Sequence, residues 1–319
     1  MGKTAFLFPG QGSQYAGMGV KLQLYSVGRE TLQEASDVLK TDIAGVCCSG
    51  TDVDLADTEV TQLAILTCSI AAFRILAEAS FRTPKEEIRF PISANLSATA
   101  GLSVGEYSAL VVSGVLSFAD ALKLVKQRAR LMAEASSINP GGMVAILGFA
   151  DNSVVESICK EASSSGIVSP ANYNCPGQVV ISGEEKAIQR AVELAQKAGA
   201  RGCKILKVSG AFHSALMFPA ELGLREALSD ITFSKPKIPF VANVTGDYLE
   251  EPEEIREMLA LQLSHPIQWE ASIRRMVDDD INAFVEVGPG KVLSGLVRRI
   301  YQEAGISNTE DILVTSLES

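Results

Sequence analysis

Five residues, Gly101-Leu102-Ser103-Val104-Gly105, follow a run of small and apolar residues and lead into Glu106-Tyr107-Ser108-Ala109-Leu110-Val111-Val112, a segment of helical character. A serine between two glycines at such a junction fits a sharp strand-to-helix turn. There the glycines let two backbones pass closely, the hydroxyl stands exposed above a sheet, and the next amide, that of Val104, is placed to donate to an oxyanion. This is equipment for acyl transfer through a serine ester.

Such a serine needs a neighbour to take its proton, and histidine is the usual one. The chain has two. His213 lies in Ser209-Gly210-Ala211-Phe212-His213-Ser214, after a strand-like segment, in a loop where the chain returns from one unit to another. His265 stands before Pro266 at what reads as a helix end. Placement in a crossover loop favours His213. A cation for an acidic group is offered by Lys123, Lys126, Arg128 and Arg130, which share one helical segment. Spacing alone ranks Arg130 with Arg128, and a solvated helix face explains both. Near the start, Pro9-Gly10-Gln11-Gly12-Ser13-Gln14 forms a glycine loop after the apolar run Ala5–Phe8. It is not a dinucleotide fingerprint, because Tyr15 stands where the third glycine belongs and no acidic residue closes a second strand.

The elements that must carry these residues alternate between strand and helix patterns. Helical periodicity marks segments around 20–40, 61–79, 105–113 and 118–137, with Ser117 as the cap of the last. Asn139-Pro140-Gly141-Gly142 then breaks the chain. Beyond it come a strand at Met143–Leu147, a helix at Ser153–Ala162, strands at Ile167–Asn172 and Gln178–Ser182, a helix at Glu185–Ala198 and a strand at Gly202–Val208. This β-α-β-β-α-β order is that of a ferredoxin-like unit. Strand patterns resume at Pro236–Asn243 and Ala283–Val287. The expected fold is a large α/β-hydrolase-like domain with a parallel sheet core, residues 1–138 and 208–319, carrying a ferredoxin-like insert at 139–207. The acidic clusters Glu250–Glu254 and Asp278–Asp280 read as a charged helix start and a solvated loop.

Composition agrees with a soluble globular protein. The chain has 319 residues, 47% hydrophobic and 21% charged, enough for a full core. A net charge of −10 argues against nucleic acid or an anionic membrane as principal ligand. The apolar stretch at the start is too short for a membrane span. Six scattered cysteines, with no C-x-x-C and no nearby histidine, suggest neither zinc nor disulfides and fit buried thiols in a reducing compartment.

Phe8–Gln14, Gly101–Leu110, Ala211–Ser214 and Glu286-Val287-Gly288-Pro289-Gly290-Lys291-Val292-Leu293, in that order, resemble the malonyl-CoA:acyl carrier protein transacylases of type II fatty-acid synthesis. The resemblance runs from about residue 4 to about residue 300. It implies Ser103 as the acylated nucleophile, His213 as its base, and the backbone N–H groups of Gln11 and Val104 as oxyanion donors. It implies further that the carbonyl of Gln262, in place of a carboxylate, orients the histidine. Arg128 would grip the free carboxylate of the malonyl group, and Phe212 would fill the space that an α-methyl group needs. Gln62, Asn172 and Met132 fall on positions near the acyl pocket. Leu102, where most members of the family have histidine, is similar to plastid members.

On this resemblance the expected substrate is malonyl-CoA and the partner acyl carrier protein, with no metal or redox cofactor, no nucleic acid and no membrane. The chain would act as a monomer in a plastid-like stroma or a bacterial cytoplasm. Two other readings fit the serine motif: a serine esterase or thioesterase of the α/β-hydrolase type, and a non-catalytic subunit that binds the carrier protein. The first lacks an H-G-G-G-type loop and an identifiable aspartate in Ser–Asp–His order.

Overall fold

The computed structural model describes residues 2–82, 96–303 and 313–317. The chain opens with β1 (Lys3–Phe8), crosses the glycine loop, and forms the helices α1 (Ser26–Leu39), α2 (Ile43–Ser49) and α3 (Thr58–Arg82). Next come β2 (Leu96–Gly101), α4 (Gly105–Val112) and α5 (Phe118–Ile138). A second group follows: β3 (Gly142–Leu147), α6 (Asn152–Ala162), β4 (Val168–Cys175), β5 (Gln178–Gly183), α7 (Glu185–Lys197) and β6 (Gly202–Ile205). The chain then runs through α8 (Phe218–Ser229), β7 (Phe240–Val241), β8 (Tyr248–Leu249), α9 (Pro252–Leu261) and α10 (Trp269–Asp278). It ends with β9 (Ile281–Val287), α11 (Val292–Glu303) and β10 (Leu313–Leu317).

Two sheets result. The larger has strand order β10-β9-β1-β2-β7-β8. Its neighbours are parallel except at the β7–β8 edge, which is antiparallel. Parallel strands covered on both faces must be apolar throughout, and β1 shows it: Ala5, Phe6, Leu7 and Phe8 are all buried. One face carries Phe6 and Phe8 into a core shared with α3, α4 and α5, and the other carries Ala5 and Leu7 against Trp269, Phe284 and Leu296. The α3 stretch Thr58–Glu78 has the length and hydropathy of a membrane span, yet it packs against α1, α2, α4 and α5 inside the protein. The smaller sheet, order β4-β5-β3-β6, is antiparallel throughout, with α6 and α7 packed on a separate core around Val144, Ile158, Val179 and Ile181.

The expected elements are found within a few residues, with instructive departures. Ser117 caps α5 by accepting the Asp120 amide. The strand expected over Pro236–Asn243 shrinks to Phe240–Val241. Pro236 and Pro239 have no N–H to give a ladder, and the Asn243 amide is taken by Glu106 Oε1 at 2.8 Å. The strand expected to reach Val208 ends at Ile205, since the Val208 amide turns back to the Leu206 carbonyl at 3.1 Å. In the other direction, β4 outruns its expected end and reaches Cys175. Glu253 and Glu254 occupy the first turn of α9 as the acidic cluster suggested. Asp278, expected in a loop, is the last residue of α10, and Asp279 pairs with Arg275 at 2.7 Å.

Candidate active site

The site lies where β1 and β2 end. Ser103 sits between β2 and α4 with φ 54, a left-handed conformation that a side chain disfavours. The two glycines beside it make the turn feasible. A Cβ on Gly101 would lie 2.0 Å from the Gly105 carbonyl oxygen, and one on Gly105 would lie 2.1 Å from that of Phe8. The glycine loop after β1 crosses against this elbow. A Cβ on Gly10 would sit 2.4 Å from the Leu102 carbonyl oxygen, so any side chain there would push loop and elbow apart. Among the described residues, neither the Gln11 nor the Val104 amide has a protein acceptor.

His213 comes to Ser103 from far along the chain. Its Nε2 is 2.9 Å from Ser103 Oγ, and its Nδ1 is 2.6 Å from the Gln262 carbonyl oxygen. A carbonyl only accepts, so Nδ1 carries the proton and Nε2 presents its lone pair to the serine hydroxyl. The histidine is itself left-handed, with φ 58. Its amide donates to the Leu263 carbonyl at 3.0 Å, so the Gln262–Leu263 turn grips it at two points. Burial pushes the imidazole down to about 3, helped by the Arg128 cation and opposed by the Gln262 carbonyl. The ring is therefore neutral at physiological pH. His265 lies elsewhere, exposed and bonded to Ser264 and the Leu261 carbonyl.

Between these groups lies Arg128, completely buried on α5. It donates to Gln62 Oε1 at 2.6 Å, Gln262 Oε1 at 2.9 Å and Ser103 Oγ at 2.9 Å, and lies over the Tyr107 ring at 5.8 Å. These hydrogen-bond partners are all uncharged, and its Nε has no partner in the described residues. Burial lowers the guanidinium from its usual value. A buried cation without a bound anion is costly, and a carboxylate ligand would repay that cost. Arg130, which spacing could not separate from Arg128, instead pairs with Glu134 on the exposed face at 2.7 Å.

The remaining pocket candidates divide. Gln62 and Met132 join the cluster, because Gln62 bonds Arg128 through its oxygen and Met132 Sδ through its nitrogen at 3.6 Å. Phe212 is buried in the large core next to His213 in sequence. Asn172 is buried on β4 and takes part in a strand bridge with Ile267, with no hydrogen bond to Ser103, His213 or Arg128 among those described. Three contributions escaped the sequence reading. The Gln262 side chain donates to the Ser103 carbonyl at 3.0 Å and to Glu106 Oε2. Glu106 is buried one turn past Ser103. Burial lifts its carboxyl to about 8, while the Asn243 and Gln262 donors and the Arg128 cation pull the other way. Asn243 bonds the elbow on both sides of Leu102. An acidic residue inside a helix of otherwise small and apolar residues was the available signal for Glu106. For Asn243, a polar residue ending an apolar strand, the signal was weaker.

No group of three or more His, Cys, Asp or Glu side chains able to hold a metal is present among the described residues. The chemistry on display is a serine hydroxyl paired to a neutral imidazole, beside two unpaired amides and a buried guanidinium. Residues 5–316 match the acyl transferase domain family. The malonyl CoA-acyl carrier protein transacylase of Escherichia coli (strain K12) is 40% identical over 321 aligned positions covering 100% of both chains. Among solved structures, the acyl-carrier-protein S-malonyltransferase of Burkholderia pseudomallei 1710b superposes with TM-score 0.89 at 38% identity, covering 99% of this chain and 96% of that one. A malonyl-transacylase solved in complex with its type II PKS acyl-carrier protein has TM-score 0.88 at 37% identity over the same shares.

Proposed function

Since the chain belongs to the acyl transferase family, and within it to the malonyl CoA-acyl carrier protein transacylases, we propose a ping-pong division of labour among its residues. The enzyme transfers a malonyl group from coenzyme A to the phosphopantetheine thiol of acyl carrier protein, supplying fatty-acid elongation. The observation that carries the residue assignment is the relay from Ser103 Oγ to His213 Nε2 at 2.9 Å and from Nδ1 to the Gln262 carbonyl at 2.6 Å.

Ser103 attacks the thioester carbonyl as His213 takes its proton. The tetrahedral oxyanion is held by the amides of Gln11 and Val104, and each such donor contributes on the order of 3 kcal/mol in transition states of this type. The imidazolium returns its proton to the departing CoA sulfur, leaving a malonyl ester on Ser103. The carrier thiol then loses its proton to His213 and attacks the ester, and the imidazolium passes that proton to the departing Ser103 oxygen, which regenerates both residues. The malonyl carboxylate takes the guanidinium of Arg128, with Gln62 and Gln262 holding the fork in plane and Met132 backing Gln62. Phe212 and Asn172 shape the acyl pocket.

We read the smaller sheet as a ferredoxin-like insert, residues 139–207, in an α/β-hydrolase-like domain made of 1–138 and 208–319. The order β4-β5-β3-β6, antiparallel throughout, supports this. A reducing, intracellular setting, plastid-like stroma or bacterial cytoplasm, is supported by six free cysteines. Carrier proteins are acidic, so docking calls for positive side chains. Lys204, Lys207, Lys291, Arg298 and Arg299 are exposed beside the site-bearing segments, although Arg298 and Arg299 also bond Val314 and Gln178. Charge reversal at all five is expected to raise the carrier-protein KM by roughly tenfold and to flatten its salt dependence. Steady-state kinetics with carrier protein at two ionic strengths read this, and an unchanged KM and salt slope would refute the docking face. Transfer itself is tested by mixing the isolated acyl-enzyme with holo carrier protein. The malonyl mass should leave the enzyme and appear on the carrier, and release as free malonate would favour a hydrolase instead.

A further inference from the structure

Asn243 follows the short strand β7 and is 1% exposed. Its carboxamide reaches across to the end of β2, where Nδ2 donates to the Gly101 carbonyl at 2.6 Å and Oδ1 accepts the Ser103 amide at 2.7 Å. Its own amide donates to Glu106 Oε1, and its carbonyl accepts from the Gln268 amide at 2.7 Å. The other oxygen of Glu106 accepts from Gln262 Nε2, which also donates to the Ser103 carbonyl at 3.0 Å. The circuit returns to the site, because the backbone carbonyl of Gln262 is the one that orients His213.

We propose that Asn243 is the positioning residue of the nucleophile elbow. It clamps the peptide groups on both sides of Leu102, holds Ser103 at its left-handed φ and, through Glu106 and Gln262, keeps the serine and the histidine-orienting carbonyl in one rigid frame. The clamp also takes the amide of Ser103 itself, which leaves the neighbouring Val104 amide as the elbow's donor to an oxyanion. A side chain in this place must offer one donor and one acceptor at fixed separation. A carboxamide does so, and so does a protonated carboxyl group, whereas a carboxylate only accepts.

That distinction supplies the test, which rests on Ser103 being the acylated residue. Asn243→Ala is expected to slow single-turnover acylation by malonyl-CoA by about 10–100-fold, with the malonyl-CoA KM within about threefold of wild type. Asn243→Asp should be as slow at about pH 8 and recover towards wild type near pH 6, because burial beside another carboxyl raises an aspartic acid and its proton restores the missing donor. The facing titratable groups are Glu106 and, one hydrogen bond further, Arg128 and His213, while Asp247 on the β8 side is turned to Arg275 at 2.7 Å. These are common to all variants, so the readout is the ratio to wild type at each pH. The Asn243→Asp ratio should rise about tenfold or more as pH falls, and the Asn243→Ala ratio should stay flat. Should the alanine variant fail to fold, the aspartate ratio decides by itself.

A flat Asn243→Asp ratio, or Asn243→Ala acylating within about threefold of wild type, would overturn the proposal. Ser103→Ala, run in parallel, separates the two levels. If it still acquires the malonyl mass, the nucleophile assignment falls; if it does not, and the Asn243 variants acylate normally, only the positioning role falls.

Discussion

Ser103→Ala and His213→Ala are each expected to lower malonyl transfer by on the order of 10⁴-fold or more, and the double variant should lose little beyond either single change. Non-additivity follows from the geometry. At 2.9 Å the hydroxyl and the imidazole form one proton-transfer unit, so removing either disables both. The mechanism places no carboxylate behind the histidine, only the Gln262 carbonyl, and the ring is held neutral down to about pH 3 by burial. The sign of its pH dependence follows. Protonation of His213 inactivates the base, and its lowered pKa moves that loss below the ordinary histidine range. The kcat/KM for malonyl-CoA should therefore show no acid limb near about 6.5 attributable to this residue. Stopped kinetics of CoA release across pH, on wild type and both variants, read these outcomes.

Arg128→Ala is expected to invert acyl preference. Malonyl transfer should fall by about 10³-fold, or about 4 kcal/mol, while acetyl transfer is spared or rises. Two features of the site drive this. The guanidinium is fully buried with only uncharged hydrogen-bond partners, so a neutral acyl group leaves it without a countercharge and a malonyl carboxylate provides one. It also donates to Ser103 Oγ, and that bond must loosen for the hydroxyl to attack. Removing the cation relieves both burdens for acetyl-CoA. Arg128→Lys should recover only part of malonyl transfer, because an ammonium lacks the planar fork that Gln62 and Gln262 hold. Competition between malonyl-CoA and acetyl-CoA for each variant measures the preference. Equal losses on both substrates would show that Arg128 acts on the fold rather than on the acyl group, and thermal denaturation of the variants separates the two effects directly.

The elbow around Ser103 was legible because a strained turn restricts its residues: Gly101 and Gly105 are required where a Cβ would strike backbone at 2.0–2.1 Å. The β-α-β-β-α-β order was legible because α6 and α7 bury strictly periodic faces against alternating strands. Arg128 and Arg130 were not separable by spacing. Their positions on α5 differ by two residues, which puts one in the core and the other in solvent, and only packing decides which is which. The roles of Asn243, Glu106 and the Gln262 side chain were hard to read because their partners lie far away in sequence. The Asn243–Ser103 bond spans 140 residues and the Gln262–Glu106 contact spans 156. The helices α8 and α10 also went unassigned in the sequence, since neither start carries a side-chain cap, whereas the acidic cluster around Pro252 did mark the start of α9.

The most direct measurement is the intact mass of the enzyme after brief exposure to malonyl-CoA without carrier protein, followed by peptide mapping. One malonyl group should be found, on the peptide that contains Ser103, and it should be absent from Ser103→Ala and lost on addition of holo carrier protein. A stable enzyme mass during turnover, or the adduct on any other residue, would contradict the serine-ester mechanism.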